Sequence, residues 1–269
     1  MDPLPALPQT VGSFLAARAP THKASSLSLR LVAIGQAHRL AGHHFDTGHP
    51  AIRETMKGIR RTHGTAPAKK DAAVADVIRD AVAALVKRPG LRALRDRALL
   101  LVGFAAALRR SELVALDMAD LAFVAEGLVI TLRRAKTDQE GRGTEIAIPF
   151  GHGARTCPVL ALRAWLEAAG IEAGAVFHSV SRHGALGPAR LSDRDVARVV
   201  KAAVAAAGYD PTTFAGHSLR SGFITTAARE GVAERHIQNQ SRHKSLPVLR
   251  GYIRRGSLFV DNAAGRVGL

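Results

Sequence analysis

The sequence predicts a mainly α-helical protein carrying one small antiparallel β-sheet, an α+β fold. Two observations carry this. Apolar residues recur at helical spacing through most of the 269 residues, and 47% of the chain is hydrophobic. Between Asp120 and Phe150 the period drops to two, in Leu128–Leu132 and again in Thr144–Ile148, with Gly141, Arg142 and Gly143 in the turn region between the runs.

The elements follow in order. Short helices are expected at Thr10–Ala17, Ser25–Leu40 and Pro50–Arg61. In the third, Ile52, Met56 and Ile59 form one face, while Arg53, Lys57, Arg60 and Arg61 occupy others. Such a basic face suits phosphate contact and equally suits solvent. His43, His44 and His49 have no Cys or carboxylate at ligand spacing and are expected as loop histidines, not a metal site. Thr62–Lys70 carries turn formers and the pair Lys69 and Lys70, which marks a linker and divides the chain into residues 1–65 and 66–269.

Beyond the linker, an apolar helix is expected over Ala72–Lys87, stopped by Pro89 and Gly90. A second runs Leu91–Leu108 and is apolar nearly all round from Ala98, so it should be the buried centre. A short helix Ser111–Leu116 follows, with Ser111 as its expected cap. Leu121–Val124 adds a third strand. Helices Pro158–Ala169 and Ser192–Ala207 flank a Gly/Pro-rich loop around Ser181–Pro188. Trp165 and Phe104 belong to the core, Tyr209 to a structural turn, and His152, His178 and His183 to surface loops.

Composition narrows the function. Thirty-eight Lys and Arg against 22 acids give a formal charge of +16, which favours a polyanionic partner; a basic solvated surface is the plain alternative. A single cysteine, Cys157, leaves no intramolecular disulfide and suits a reducing compartment. The start, MDPLPALPQ, lacks the pattern of a signal peptide, and the apolar run Ala98–Leu108 is too short to span a bilayer. A soluble, cytoplasmic protein is expected. No GxxxxGK[ST], GxGxxG, HExxH or GxSxG motif occurs, so ATP-driven, nicotinamide-dependent, zinc-protease and common hydrolase chemistries lose support.

The chemistry concentrates in GHSLRSGFITTAAREGVAERHIQNQSRHKSLPVLRGYI, residues 216–253. His217 and Arg220 are three residues apart and can share a helical face. A basic cluster, Arg242, His243 and Lys244, follows, and Tyr252 lies nine residues past His243. A base, a fork-shaped cation and a phenol together suit a phosphodiester: Arg binds oxygens in pairs, and Tyr can act as nucleophile. Upstream, Arg109 and Arg110 end an apolar helix with Glu112 close behind, a pattern suited to a buried anion site.

Taken together, LRRSEL, the hairpin AKTDQEGRG, HSLR, RHKS and the spaced tyrosine resemble the tyrosine recombinases, the phage-integrase family. Each motif alone is weak; their order and spacing are specific. The resemblance covers residues 70–269 and the first 65 in part. It implies a catalytic domain at 66–269, preceded at 1–65 by a partial helical core-binding (SAM-like) domain in which the first family helix is missing. It also implies Arg109 and Arg220 on the non-bridging oxygens, with Glu112 supporting Arg109. By the same resemblance Lys136 is expected to protonate the leaving 5′ oxygen, His217 to take the phenolic proton, His243 to hydrogen-bond the phosphate and Tyr252 to attack. DNA contacts are expected from Arg53, Lys57, Arg60, Lys69, Lys70, Arg242 and Lys244. The implied partners are double-stranded DNA and further copies of the chain, as a homo-tetramer on paired sites, with no membrane. No metal or other cofactor is implied, because the phosphotyrosyl bond keeps the energy of the broken phosphodiester. In the family a tail like Leu258–Val260 can dock on a neighbouring subunit. Two rivals share parts of the pattern, a type IB topoisomerase and a truncated DNA-binding remnant that does not recombine.

Overall fold

The computed structural model describes residues 4–65, 70–133, 143–260 and 263–267. The chain divides into two compact units, Met1–Lys69 and Lys70–Leu269.

The first unit is three helices: α1 (Pro8–Arg18), α2 (Ala24–Leu40) and α3 (Pro50–His63). Proline opens α1 and α3, where its missing N–H costs nothing. His49 caps α3 by accepting from the Ala51 N–H at 3.2 Å. Val11 and Leu15 of α1, Leu27 of α2, and Ile52, Met56 and Ile59 of α3 make one apolar core.

The second unit is built around α5 (Leu91–Ala105), in which Ala98 to Val102 are all buried. Around it pack α4 (Ala75–Val86), α7 (Pro158–Ala169), α8 (Asp193–Ala206) and α9 (Ser218–Arg229). Trp165 of α7 is fully buried and donates its indole N–H to the Val176 carbonyl at 2.8 Å. The short α6 (Arg110–Ala115) follows α5. Strands β1 (Leu121–Val124), β2 (Gly127–Leu132) and β3 (Thr144–Pro149) form an antiparallel sheet in that order, pairing Leu121 with Ile130 and Ile130 with Ile146. Leu128, Ile130, Ile146 and Ile148 turn one face into the core, as period-two alternation requires. Helices α10 (Glu234–Ser241) and α11 (Leu246–Gly256) close the unit against α9. Among the described residues no helix is long and apolar enough to cross a membrane.

Four expectations are corrected. Helix α5 stops at Ala105, because Ala107 turns left-handed (φ 47°) and the Leu108 N–H reaches back to the Gly103 carbonyl at 3.0 Å. This is a Schellman ending, with alanine where glycine is usual. Ser111 does not cap α6; Glu112 returns its carboxylate to the Arg109 N–H at 2.8 Å. The loop around Ser181–Pro188 holds a second small sheet, β4 (His178–Val180) with β5 (Leu186–Arg190). His178 is half-buried there, its two ring nitrogens bonded to the Gly187 and Ala175 carbonyls at 3.1 and 3.0 Å. Tyr209 donates to Asp80 at 2.6 Å, which ties α8 to α4.

The stretch from Asp71 to Ala75 crosses α9 at close quarters. Its backbone bonds the Thr213 and Ser218 carbonyls and the Thr226 hydroxyl, at 2.7, 2.9 and 3.0 Å. Gly222 makes this possible, since a Cβ there would sit 2.0 Å from the Ala73 carbonyl oxygen. Backbone cannot yield as a flexible side chain can. Gly222→Ala is therefore expected to lower stability by about 2 kcal/mol or more, read as a fall in Tm.

Candidate active site

The site is organised by the end of α5. The last carbonyls of a helix lack internal partners and carry the negative end of its dipole. Here three side chains meet them. Gln240 donates to the Ala105 carbonyl at 2.9 Å, Arg242 to Ala106 at 3.0 Å, and Ala107 receives both Arg220 at 2.7 Å and Arg242 at 3.2 Å. The left-handed turn at Ala107 aims these oxygens at the arginines.

Beside this turn lies Glu112, buried to within 5% of its surface. One carboxylate oxygen is ion-paired with the Arg109 guanidinium. The other accepts the Arg109 N–H at 2.8 Å and the Arg242 guanidinium at 3.1 Å. Burial alone would raise this carboxyl's pKa. The Arg109 hydrogen bonds and the Arg242 and Arg109 charges outweigh burial, so the net shift is downward.

Helix α9 supplies His217 at its first cap and the buried Arg220 one turn in. Arg220 reaches the His243 Nδ1 at 3.3 Å, and Nδ1 also lies 2.8 Å from the Ser241 hydroxyl. Guanidinium cannot accept a hydrogen bond, so the Nδ1 of a neutral His243 is the acceptor in that contact and its Nε2 carries the proton. The His243 and Tyr252 ring centroids are 6.1 Å apart, tilted by 53°. Tyr252 also packs on the small apolar cluster of Ile224, Ala227, Ala228, Ile237 and Leu249.

The electrostatics follow from this crowding. Three guanidiniums, of Arg109, Arg220 and Arg242, crowd together around Glu112, which pairs with Arg109 and Arg242. Burial first, then Arg109 and Arg242, press the Arg220 pKa down to about 9. Burial, then Arg220, Arg109 and Arg242, press His243 down to about 4. Burial, then Arg110, Arg220 and Arg109, lower His217. An anion among these groups would relieve them all. The arrangement suits a phosphate or another oxyanion.

The structure thus brings together Arg109, Glu112, Arg220, His243 and Tyr252, with His217 within the reach of the same charges. Arg110 faces outward to Asp193 at 3.2 Å. Lys136 and Lys69 lie outside the described residues. Arg53 and Lys57 are exposed on α3, flanking Glu54 at 3.1 and 3.6 Å; Arg60 is exposed on the same helix. Lys70 donates to the Thr212 carbonyl at 2.7 Å, and Lys244 is exposed beside His243.

Arg242 is corrected. Expected among the DNA contacts, its side chain is only 9% exposed and spends its donors on Glu112 and three backbone carbonyls. In the sequence it sits in a basic triplet, and apart from the Gln240 carbonyl its partners, Ala106, Ala107 and Glu112, lie more than a hundred residues away. Gln240 and Ser241 were not singled out either; both act through backbone and ring contacts that no short motif encodes. Among the described residues no three His, Cys, Asp or Glu side chains converge as metal ligands would.

Residues 75–256 match the model of the phage integrase family. An integrase/recombinase xerD homolog of Selenomonas ruminantium is 40% identical over 267 residues, covering 98% of this chain and 78% of that protein. Among solved structures, the XerH site-specific recombinase in a post-cleavage complex with its difH substrate superposes with a TM-score of 0.73 at 14% identity, over 97% of this chain and 72% of that one. A lambda integrase dimer bound to a COC′ core site gives 0.62 at 20% identity, over 94% of this chain and 82% of that one. A lambda integrase tetramer bound to a Holliday junction gives 0.61 at 20% identity, over 96% and 67%. With most of its second unit matched by the family model and nearly its whole length aligned to that relative, this chain belongs to the phage integrase family, the tyrosine-type site-specific recombinases.

Proposed function

We propose that this chain cleaves and rejoins DNA strands through a covalent 3′-phosphotyrosyl bond on Tyr252. The observation that carries the reading is the convergence of Arg109, Arg220 and His243 on one point, with the Tyr252 ring 6.1 Å from that of His243. Arg109 and Arg220 neutralise the non-bridging oxygens and the extra charge of the five-coordinate transition state. The Nε2–H of His243 donates to the same phosphate. His217 takes the phenolic proton as the Tyr252 oxygen attacks phosphorus, and the bond to the 5′ oxygen breaks. Lys136 delivers the proton to that leaving oxygen. The reverse attack, by a 5′ hydroxyl from a second strand, rejoins the backbone. One phosphodiester is exchanged for one phosphotyrosyl ester and back, so ATP is not consumed.

Double-stranded DNA is the partner, with the exposed Arg53, Lys57 and Arg60 of α3 and Lys69, Lys70 and Lys244 as further phosphate contacts. Residues 1–65 act as a core-binding domain and residues 66–269 as a catalytic domain. Four copies act on paired sites, a reading supported by the lambda integrase tetramer on a Holliday junction. The setting is the cytoplasm, on nucleoid DNA.

Tyr252→Phe loses only the attacking oxygen. It is expected to bind DNA normally and to form no adduct with a nicked suicide duplex, whereas Tyr209→Phe still forms it. An adduct from Tyr252→Phe refutes the nucleophile; relaxation of plasmid without two-site recombination refutes the pairing of sites.

Lys136→Ala is expected to slow cleavage by about two to four powers of ten, the usual worth of a general acid. Sulfur in place of the 5′ bridging oxygen leaves without a proton, so that substrate should restore most of the rate. Arg109 and Arg220 variants should remain defective on it.

The third expectation concerns pH. His243 is held near pKa 4 in the fold against an ordinary value of 6.5. A depressed histidine means that the unfolded chain binds the extra proton first. The stability this neutral ring contributes is therefore intact above about pH 6.5 and is lost on acidification towards pH 4. His243→Asn, which cannot titrate, should lose less Tm than the parent between pH 7.5 and pH 5. An equal loss in both proteins refutes the assignment.

A further inference from the structure

The described residues include two non-glycine positions with left-handed backbone, Ala107 (φ 47°) and Arg242 (φ 54°). They touch each other. The Arg242 Nη2 donates to the Ala107 carbonyl at 3.2 Å, and its Nη1 to Ala106 at 3.0 Å and Gln240 at 2.6 Å. Left-handed conformations are disfavoured for side chains with a Cβ, and glycine would adopt either one freely. Such strain persists only where surrounding contacts over-determine it, and it gathers at functional sites.

Those contacts run in two directions. Inward, the Arg242 fork binds the second oxygen of Glu112 at 3.1 Å, the oxygen that also holds the Arg109 N–H. It shares the Ala107 carbonyl with Arg220. Outward, the left-handed turn at Arg242 reverses the chain between Ser241 and His243, so that their side chains meet at 2.8 Å above Arg220. One residue therefore braces Arg109 through Glu112, Arg220 through Ala107, and His243 through the turn. Its own Nε is buried without a hydrogen-bond partner among the described residues, so the fork is not optimised for its own satisfaction.

We propose that Arg242 is a positioning residue for the phosphate site: it does not touch DNA, but it holds Arg109, Arg220 and His243 in the geometry that receives the scissile phosphate. This inference rests on the proposed phosphotyrosyl chemistry. It goes beyond that chemistry in assigning a role to a residue that makes no step of it.

The test uses the full chain, as wild type, Arg242→Gly and Arg242→Lys. Single-turnover cleavage of a nicked suicide duplex is measured at saturating DNA, with Tm recorded alongside. One substrate has an ordinary phosphodiester at the scissile position; the other has a methylphosphonate, which lacks one charged non-bridging oxygen. Glycine relieves the left-handed backbone, so Arg242→Gly is expected to hold its Tm and DNA affinity. It is expected to form the adduct about a hundredfold more slowly, as displaced catalytic groups do. The deficit should shrink by about tenfold or more on the methylphosphonate, which needs the arginines less. Arg242→Lys keeps the charge but not the fork, and should share the defect.

Wild-type rates in Arg242→Gly overturn the proposal. So does an equal deficit on both substrates with a lowered Tm in both variants, because a merely structural arginine does not distinguish the two phosphates. A wild type that forms no Tyr252 adduct refutes the phosphotyrosyl reading and this inference with it. A wild type that forms the adduct beside an unimpaired Arg242→Gly refutes this inference alone.

Discussion

The structure of the site depends on how the chain ends α5. A helix packed in the core presents its last carbonyls, those of Ala106 and Ala107 on buried residues, to the place where several cations are held. Each need answers the other. The carbonyls of Ala105, Ala106 and Ala107 gain donors from Gln240, Arg242 and Arg220, and the arginines gain fixed negative dipoles that orient them without neutralising them. A carboxylate in each of those places would satisfy the arginines fully and leave nothing for a phosphate. Among the described residues Glu112 is the one carboxylate paired with these arginines, and it is shared between Arg109 and Arg242.

The excess of positive charge is therefore deliberate in a physical sense: it costs stability in the empty protein and is recovered when an anion enters. Burial first, and then the neighbouring guanidiniums, lower both Arg220 and His243, the direction such crowding gives. Donors fixed before the charge arrives need no reorganisation when it does, which is the largest advantage a folded site has over water. Backbone strain at Ala107 and Arg242 belongs to the same account, since both residues bend the chain so that groups from α5, α6, α9 and the turn after α10 meet.

Much of the fold was legible because its signals are local. The strand Leu121–Val124 and the helix Pro158–Ala169 follow from period and from a proline start, and α4 and α8 differ from expectation only at their ends. The hairpin of β4 and β5 was hidden because Leu186–Arg190 contains Gly and Pro and is largely exposed, so no alternation marks it. It is held by pairing with β4 and by the ring of His178. In the site, the motifs around Arg109, His217 and Tyr252 stood out by residue type. Arg242 stood out only as a basic residue suited to DNA, because an arginine among basic residues looks the same whether it faces solvent or a buried glutamate. The left-handed alanine at 107 was equally silent, since alanine carries no preference for that turn.

The arginine cluster and Tyr252 draw on different parts of the core. Arg109, Glu112 and Arg220 rest on elements packed into the large cluster around α5, where Leu108, Leu113 and Leu219 are buried. Tyr252 rides on α11, whose buried residues are Leu249 and Gly256 and whose apolar support is the small cluster shared with α9 and α10. Gly256 lets the helix approach α9 closely, a Cβ there lying 2.6 Å from the Thr225 carbonyl oxygen. Local stability follows buried apolar contact, so the anion site is the stiffer partner and the tyrosine helix the more easily displaced. That ordering suits a reaction in which the phosphate must be gripped throughout. In the proposed reaction the phenolic oxygen has only to arrive, form its bond and later release it.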